Sequence, residues 1–525
     1  MSRTTTTRKY GKSSRKERAD ELFAQLPGTP IKMTTESPPE GTSRATRHGG
    51  VMHTRPDVDV DVQDPVCKLS EQLQATRLDT IAPPAEERNR SMSSRILTEA
   101  MRDNGLGEQS EIVEQRSFRG EDEEDKESCH DVVLVWDDVC PAANGIEKIA
   151  EASYAEVYRV SNEHGTSVIK VIRLESPIRP QTKAQQRSGL VDEEPHSEED
   201  MRGELSISEW LSDIPGFVVY KERYVVKGKA PKALLETHQA FHRRMKRKDP
   251  DRLQFYPSPS RYLDETRFLV VELGDAGTAL EDFEVTSISQ VWDVFLHTAL
   301  ALARAEALIE FEHRDLHEGN ICIRQVRPAT SKRPPSSPIQ FGFSGLDITI
   351  LDYGLSRATD PNPARKASEA PEVVAYDLEK DLTLFQSTHA PQCRVYRQMR
   401  SYLIHEDRVY LPPNKHVAPY PTSKTTGEPI SWRGYYPYTN VLWLAYLYGY
   451  LVSHFRGDKK ELASFKKETA ELRIHLDPGA PRDVLSFPSA GDVVRFAVEA
   501  GWVGVGQLVD VWGEEGSPLE EAGNE

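Results

Sequence analysis

The sequence predicts an α+β fold of two lobes, a β-rich N-terminal lobe and a helical C-terminal lobe, behind a disordered arm. Hydrophobic segments concentrate after about residue 145, and strand-like patterns give way to helical ones at a glycine-containing loop, 274–277. With 38% hydrophobic residues, 28% charged residues and 35 prolines, the chain is typical of one large domain with polar extensions. We predict an N-terminal arm at 1–140, lobes at 141–275 and 276–512, and a flexible tail at 513–525.

The N-terminal arm is polar and has no sustained periodicity. Its first 18 residues carry seven lysines and arginines against the single acid Glu17. From there to about residue 128 it is rich in Ser, Thr, Pro, Arg and Glu, and it closes with the acidic run Gly120–Glu127 (GEDEEDKE). Such composition does not bury enough apolar surface to fold by itself.

Charge and cysteine content exclude several classes of protein. A net charge of −17 argues against a folded domain that holds nucleic acid on a broad basic face, and it suits a basic partner. The five cysteines are too sparse for a disulfide framework, which predicts a reducing compartment. No apolar segment follows the N-terminus, so we do not expect secretion. The apolar run Asn440–Phe455 is too short to span a bilayer and predicts a buried helix and no membrane association.

Alternation and turn residues define the elements of the first lobe. Ile149–Val160 and Ser167–Leu174 are rich in Val, Ile and Tyr and predict strands joined by a turn at 162–165. A helix with one apolar face follows at 201–211, and Arg267–Glu272 predicts a further strand.

The second lobe begins with a helical pattern at Val291–Phe311 and continues with helices to about Trp512. A short polar loop and two β-like pieces interrupt them, including Ile348–Leu351. The segment 407–432, rich in Pro, Lys and Thr, predicts a surface insertion.

The most informative motif is His313–Asn320 (HRDLHEGN), which fits the catalytic-loop pattern H-R-D-L-x-x-x-N of protein kinases. Phosphoryl transfer needs a carboxylate to receive the proton of the attacking hydroxyl and an amide oxygen to help hold a metal ion. Asp315 and Asn320, five residues apart on one loop, fit these two roles.

A second carboxylate follows an apolar strand. Asp352-Tyr353-Gly354 stands where kinases have D-F-G, 32 residues after Asn320. Oxygen ligands at Asn320 and Asp352 predict a Mg²⁺ site that would act together with ATP.

Lys170 lies inside an apolar strand, where an unpaired ammonium group is costly. Glu204 on the following helix, or a nucleotide phosphate, is the partner we predict, as in the strand-lysine and helix-glutamate pair of kinases.

The segment Ile149–Val157, the phosphate loop, departs from the kinase pattern G-x-G-x-x-G-x-V. Ala150, Ala152 and Ala155 occupy the glycine positions and Val157 the valine position. Alanine keeps the loop small but lacks the conformational freedom of glycine. We still predict that these four residues contact the nucleotide.

Long ordered matches link the chain to a known family. Over most of 146–455 it resembles haspin, an atypical serine/threonine protein kinase with the bilobal protein-kinase-like fold. The resemblance is carried by FEHRDLHEGN at 311–320, ILDYGLSR at 350–357, VYRQMR at 395–400 and YPYTNVLWLAYL at 436–447.

The resemblance implies a substrate and a location. Haspins phosphorylate a threonine near the N-terminus of the histone H3 tail in mitosis, so it implies a nuclear, chromosome-associated kinase. The positions implied to hold the basic tail are Glu151, Glu281, His317 and Asp381, and those implied to flank adenine are Glu272 and Gly274.

The segment Thr7–Lys12 (TRKYGK), around Tyr10, resembles a basic-Tyr motif with which haspin docks on a cohesin-associated HEAT-repeat subunit. The alternative is a basic patch for nuclear import or DNA contact. We expect a monomer.

Two other functions stay open. A small-molecule kinase of aminoglycoside or choline type also carries D-L-H-x-G-N, although Arg314 before Asp315 favours haspin. A pseudokinase scaffold would explain the three alanines, but it has no need for Lys170, Glu204 and Asp352 together with the catalytic loop.

Overall fold

The computed structural model describes residues 133–510, except 142–144, 153, 164, 188–189, 191, 193, 251, 253, 331–337 and 363–370. The motif around Tyr10, the rest of the N-terminal arm up to residue 132, and the tail at 513–525 lie outside the described residues. The predicted domain boundaries therefore stay predictions.

The first lobe is built on a six-stranded sheet with the strand order β1-β5-β6-β4-β3-β2. The turn predicted at 162–165 is confirmed, because β3 ends at Asn162 and β4 begins at Gly165, whose φ of 141° suits glycine. The strands are β1 Val133–Leu134, β2 Gly145–Glu151, β3 Glu156–Asn162, β4 Gly165–Arg173, β5 Tyr220–Lys227 and β6 Arg267–Gly274.

The register places Lys170 in the middle of this sheet. Lys170 on β4 lies between Val157 on β3 and Val271 on β6, in antiparallel ladders. At the far edge, Val133 of β1 pairs in parallel with Val225 of β5, so the sheet includes residues ahead of the boundary predicted at 141.

The apolar helical face predicted at 201–211 is confirmed by α3, which buries Met201, Leu205 and Leu211 against the sheet and the second lobe. Its first turn is closed by a capping box in which Ser197 and Asp200 satisfy each other's backbone N–H groups. The helices of this lobe are α1 Trp136–Val139, α2 Lys183–Arg187, α3 Glu198–Leu211 and α4 Lys232–Lys248.

The second lobe is mainly helical, which confirms the predicted α+β class with strands in the first lobe. Two small sheets, β7-β8-β9 and β10-β11, accompany the helices. The strands are β7 Thr278–Ala279, β8 Ile321–Gln325, β9 Leu346–Ile350, β10 Arg357–Thr359 and β11 Val373–Ala375. The helices are α5 Ile288–Ile309, α6 Thr383–Gln386, α7 Gln392–His405, α8 Tyr438–His454, α9 Lys459–Glu468, α10 Ala470–Leu476, α11 Ala490–Glu499 and α12 Val505–Asp510.

The apolar run predicted to be a buried helix forms α8, which packs in the core through residues such as Val441, Trp443 and Leu444. Within the described part of the chain, no helix has the length and apolar character needed to cross a membrane.

The 407–432 segment lies at the surface, as predicted, but it is fastened to the body at several points. Val417 and Tyr420 are exposed, whereas His416, Ile430 and Trp432 are buried. The sequence pattern missed these anchors because isolated residues in a polar stretch carry no periodicity.

Candidate active site

The catalytic loop is held by a buried ion pair beneath it. Arg314 has a φ of 65° and donates from Nη2 to Glu312 Oε1 at 3.1 Å and to the Trp432 carbonyl at 2.8 Å. Glu312 also accepts from the Tyr436 N–H and from the Thr439 hydroxyl. Both charged groups are fully buried, and these hydrogen bonds offset part of the cost of removing the two charges from water, while Arg314 Nη1 has no hydrogen-bond partner among the described residues.

This support presents Asp315 and Asn320 side by side. Asn320 Nδ2 donates to the Asp315 carbonyl at 2.9 Å, so its amide oxygen is the atom suited to a cation. Asp315 Oδ1 accepts from the Tyr396 hydroxyl at 2.5 Å and lies 4.0 Å from His317 Nε2. Burial raises the pKa of Asp315 to about 6, against the lowering effects of His317 and Tyr396.

The predicted pair between the strand lysine and the helix glutamate is present across β4 and α3. Lys170 Nζ lies 2.8 Å from Glu204 Oε1 and 4.0 Å from Asp352 Oδ2. Burial disfavours the ammonium charge, but Asp352 and Glu204 outweigh it and raise the pKa of Lys170 above its usual range. Lys170 therefore stays charged beside two carboxylates.

Asp352 adopts a backbone conformation that few residues other than glycine adopt, with a φ of 62°. It follows Leu351, the residue after β9, whose carbonyl lies 2.9 Å from His313 Nε2. Burial opposes ionisation of Asp352, but Lys170 outweighs it and lowers the pKa of Asp352. The result is an anionic carboxylate facing Lys170.

The phosphate loop turns tightly between β2 and β3. The Ala152 N–H donates to the Ala155 carbonyl at 2.9 Å, and the Tyr256 hydroxyl donates to the Ala152 carbonyl at 2.5 Å. Ala155 and Val157 are buried, and Ala150 pairs with Val157 next to the last pair of this ladder, Glu151 with Glu156. The three alanines thus form a compact loop above Lys170.

A family model described as "Haspin like kinase domain" matches residues 76–487. The chain belongs to the haspin-like kinase family. Curated relatives include serine/threonine-protein kinase haspin homolog hrk1 of Schizosaccharomyces pombe, 31% identical over 346 residues, which are 62% of this chain and 58% of the relative. Haspin of Mus musculus is 26% identical over 66% of this chain and 40% of its own length. The haspin homolog of Drosophila melanogaster is 28% identical over 63% of this chain and 50% of its own length.

The predicted resemblance to haspin kinases and the predicted kinase-like fold are thereby confirmed, and the curated relatives are named serine/threonine-protein kinases. The chain spans about half the length of the curated relatives that it matches. Membership of the haspin-like family implies ATP and a divalent metal ion as cofactors. The site fits ATP and a divalent metal ion chemically. Lys170 is a cation suited to phosphate, and Asn320 and Asp352 carry oxygen ligands suited to the metal ion.

The two predicted adenine-flanking residues lie in the sheet at the end of β6. The Gly274 N–H donates to the Val219 carbonyl at 2.9 Å, and the Glu272 side chain accepts from the Ser167 hydroxyl at 2.7 Å. Their contacts with adenine stay a prediction.

Two of the predicted peptide-binding residues lie beside the catalytic loop of this haspin-like domain. His317 Nδ1 accepts from the Gly319 N–H at 3.0 Å, and this histidine interacts electrostatically with the nearby Glu281. Burial raises the pKa of Glu281 above its usual range.

The other two predicted peptide-binding residues have internal partners. The Glu151 side chain is only 4% exposed and meets Lys148, His242 and Arg252. Asp381 accepts from the N–H and the hydroxyl of Thr383, at 3.0 and 2.6 Å. Their roles toward a substrate stay predictions.

Sequence reasoning missed two tyrosines of the haspin-like active site. Tyr396 contacts Asp315 from α7, and Tyr154 reaches from the phosphate loop to Glu204. Tyr396 belongs to the VYRQMR block, whose similarity to haspins was the available signal.

Proposed function

We propose that this chain is an ATP-dependent serine/threonine protein kinase of haspin type. The observation that carries the proposal is the pairing of Lys170 with Glu204 at 2.8 Å, beside Asp352 and opposite the catalytic loop. Residues far apart in the sequence converge on the arrangement that phosphoryl transfer requires.

Five residues of the active site have a chemical role in this proposal. Asp315 accepts the proton of the attacking hydroxyl, and its pKa of about 6 leaves it ionised at neutral pH. Lys170 binds phosphate oxygens and is oriented by Glu204. Asn320 and Asp352 provide oxygen ligands for Mg²⁺, which neutralises phosphate charge when it is bound with ATP.

The substrate we propose is a threonine near the N-terminus of the histone H3 tail, phosphorylated in mitosis on chromosomes in the nucleus. Glu281, beside His317 on the catalytic loop, supplies a carboxylate for a positively charged peptide. The net charge of −17 adds a long-range attraction for a basic partner. We further propose that the Tyr10 motif binds a cohesin-associated subunit and that the kinase acts as a monomer.

The test is phosphate transfer from Mg-ATP to a peptide of the histone H3 tail. We expect transfer by the natural chain and losses of at least about 100-fold in Asp315→Asn and Lys170→Ala, because each removes a group that acts in the transition state. Arg202→Ala, at an exposed position of α3, is the control and should retain full activity.

The same assay separates the alternatives. Transfer to small alcohols but not to the peptide would identify a small-molecule kinase. No transfer by the natural chain, together with no binding of ATP, would favour the pseudokinase scaffold.

A further inference from the structure

Tyr154 at the tip of the phosphate loop reaches the ion pair of the active site. Its hydroxyl donates to Glu204 Oε2, while Lys170 binds the other carboxylate oxygen, Oε1, at 2.8 Å. Burial and the adjacent Glu204 raise the pKa of Tyr154 well above its usual range, so the hydroxyl keeps its proton and remains a donor. The two oxygens of Glu204 thus connect the loop to the strand lysine.

The surrounding residues leave the tyrosine a defined place. A Cβ atom on Gly354 would lie 2.6 Å from the Tyr154 hydroxyl oxygen, closer than side-chain contacts allow. The ring makes an edge contact with His196, just ahead of α3, with ring centroids 5.5 Å apart. The phenol therefore stands on the α3 side of the cleft and is packed against the D-Y-G segment.

The base of the loop is fixed from another direction. The Ala152 carbonyl accepts from Tyr256, and Lys148 on β2 lies 2.9 Å from Glu151 and 3.2 Å from Glu156 on β3. These contacts hold both ends of the phosphate loop, and alanine allows it fewer backbone conformations than glycine would. A contact at the tip of the loop is therefore sufficient to fix its position.

We propose that Tyr154 is a positioning residue that latches the alanine-bearing phosphate loop onto Glu204, so that the loop is closed before ATP binds. The latch rests on the proposed kinase function. Glycine-rich loops close because their backbone is flexible. In this chain a side-chain hydrogen bond has the same effect. Loss of the Tyr154 hydroxyl would free the loop from Glu204. Because the loop would then have to be ordered when ATP binds, we expect ATP binding to weaken and the chemical step to change little.

The experiment compares the natural chain with Tyr154→Phe, which keeps the ring and removes the hydroxyl. We expect the Kd and KM for ATP to rise roughly tenfold, with kcat changed less than about twofold. Amide hydrogen exchange should quicken in residues 150–157 and stay the same in the rest of the first lobe. Tyr448→Phe, which loses a buried hydroxyl contact with Thr469 in the second lobe, is the matched control and should leave both quantities unchanged.

Binding and exchange are measured without turnover, so they report on the latch even if the natural chain transfers no phosphate to the peptide. Unchanged ATP affinity and unchanged exchange in Tyr154→Phe would overturn the proposal. Tighter ATP binding in the variant would also overturn it, because Tyr154 would then be an obstacle in the phosphate site.

Discussion

Two opposing influences set the basicity of Asp315. Removal from water raises its pKa to about 6, while the Tyr396 hydrogen bond and the nearby His317 favour the charged form. A base with a pKa below neutrality is ionised under working conditions and becomes protonated in mild acid. Tyr396 therefore favours the ionised form of Asp315.

We predict that kcat/KM for phosphate transfer falls as the pH drops below about 6, because protonated Asp315 cannot accept a proton. Tyr396→Phe removes a hydrogen bond to the charged form, so the pKa of Asp315 rises and the acidic limb of the profile moves to higher pH. The measurement is kcat/KM from pH 5 to 8 for both proteins, with Tyr448→Phe as control. A limb that stays in place would assign the acidic fall to another group.

The elements that position the site differ in how far the sequence predicts them. The strands around Lys170, the helix with Glu204 and the catalytic loop were predictable, because each has its own periodicity or a contiguous motif. Glu204 was also predictable as the partner of Lys170, but the partner of Asp315 was not. Tyr396 lies 81 residues from Asp315, and only the packing of α7 brings them together.

Glu151 illustrates the same limit at the end of β2. The resemblance to haspins implies that Glu151 holds a basic peptide, but α4 brings His242 to its carboxylate from about 90 residues away. No local pattern reports which surface a distant helix covers. Whether a charged residue is exposed or buried is therefore hard to predict when a helix that is distant in the sequence, such as α4, packs over it.

Helix α3 carries Glu204, so its first turn is a suitable place to test local stability. Ser197 accepts from the Asp200 N–H, and Ser197→Ala removes that cap. We predict a loss of about 1 kcal/mol in the free energy of unfolding. Denaturant midpoints provide the measurement, and Arg202→Ala, an exposed residue of the same helix, should change stability by less than about 0.5 kcal/mol. Equal effects of the two variants would contradict a capping role.

At the scale of the whole molecule, the two lobes are joined directly behind the active site. The Ile350 N–H donates to the Gly216 carbonyl at 2.8 Å, and the Val218 N–H donates to the Ile350 carbonyl at 3.1 Å. Ile350 ends β9, two residues before Asp352, while Gly216 follows α3, which carries Glu204. The backbone bridge therefore fixes the distance between groups supplied by different lobes.

A second long-range tie lies within the helical lobe. Arg400 on α7 forms two 2.8 Å hydrogen bonds with Glu379, and both side chains are almost fully buried. His416 and Trp432, the anchors of the 407–432 segment, contact the same pair. The Arg400–Glu379 ion pair thus connects α7, the chain just before α6 and the 407–432 segment.

We predict that Glu379→Ala lowers the free energy of unfolding by about 3–5 kcal/mol, because Arg400 is left buried without its carboxylate. The double variant Glu379→Leu with Arg400→Met should regain most of that loss, since it removes both charges and keeps apolar volume. Thermal and denaturant midpoints of the three proteins measure this, with Glu198→Gln, from a half-exposed pair with Arg267, as the control that changes by less than about 1 kcal/mol. A double variant no more stable than Glu379→Ala would mean that the hydrogen bonds to His416 and Trp432, rather than charge pairing, hold this part of the molecule together.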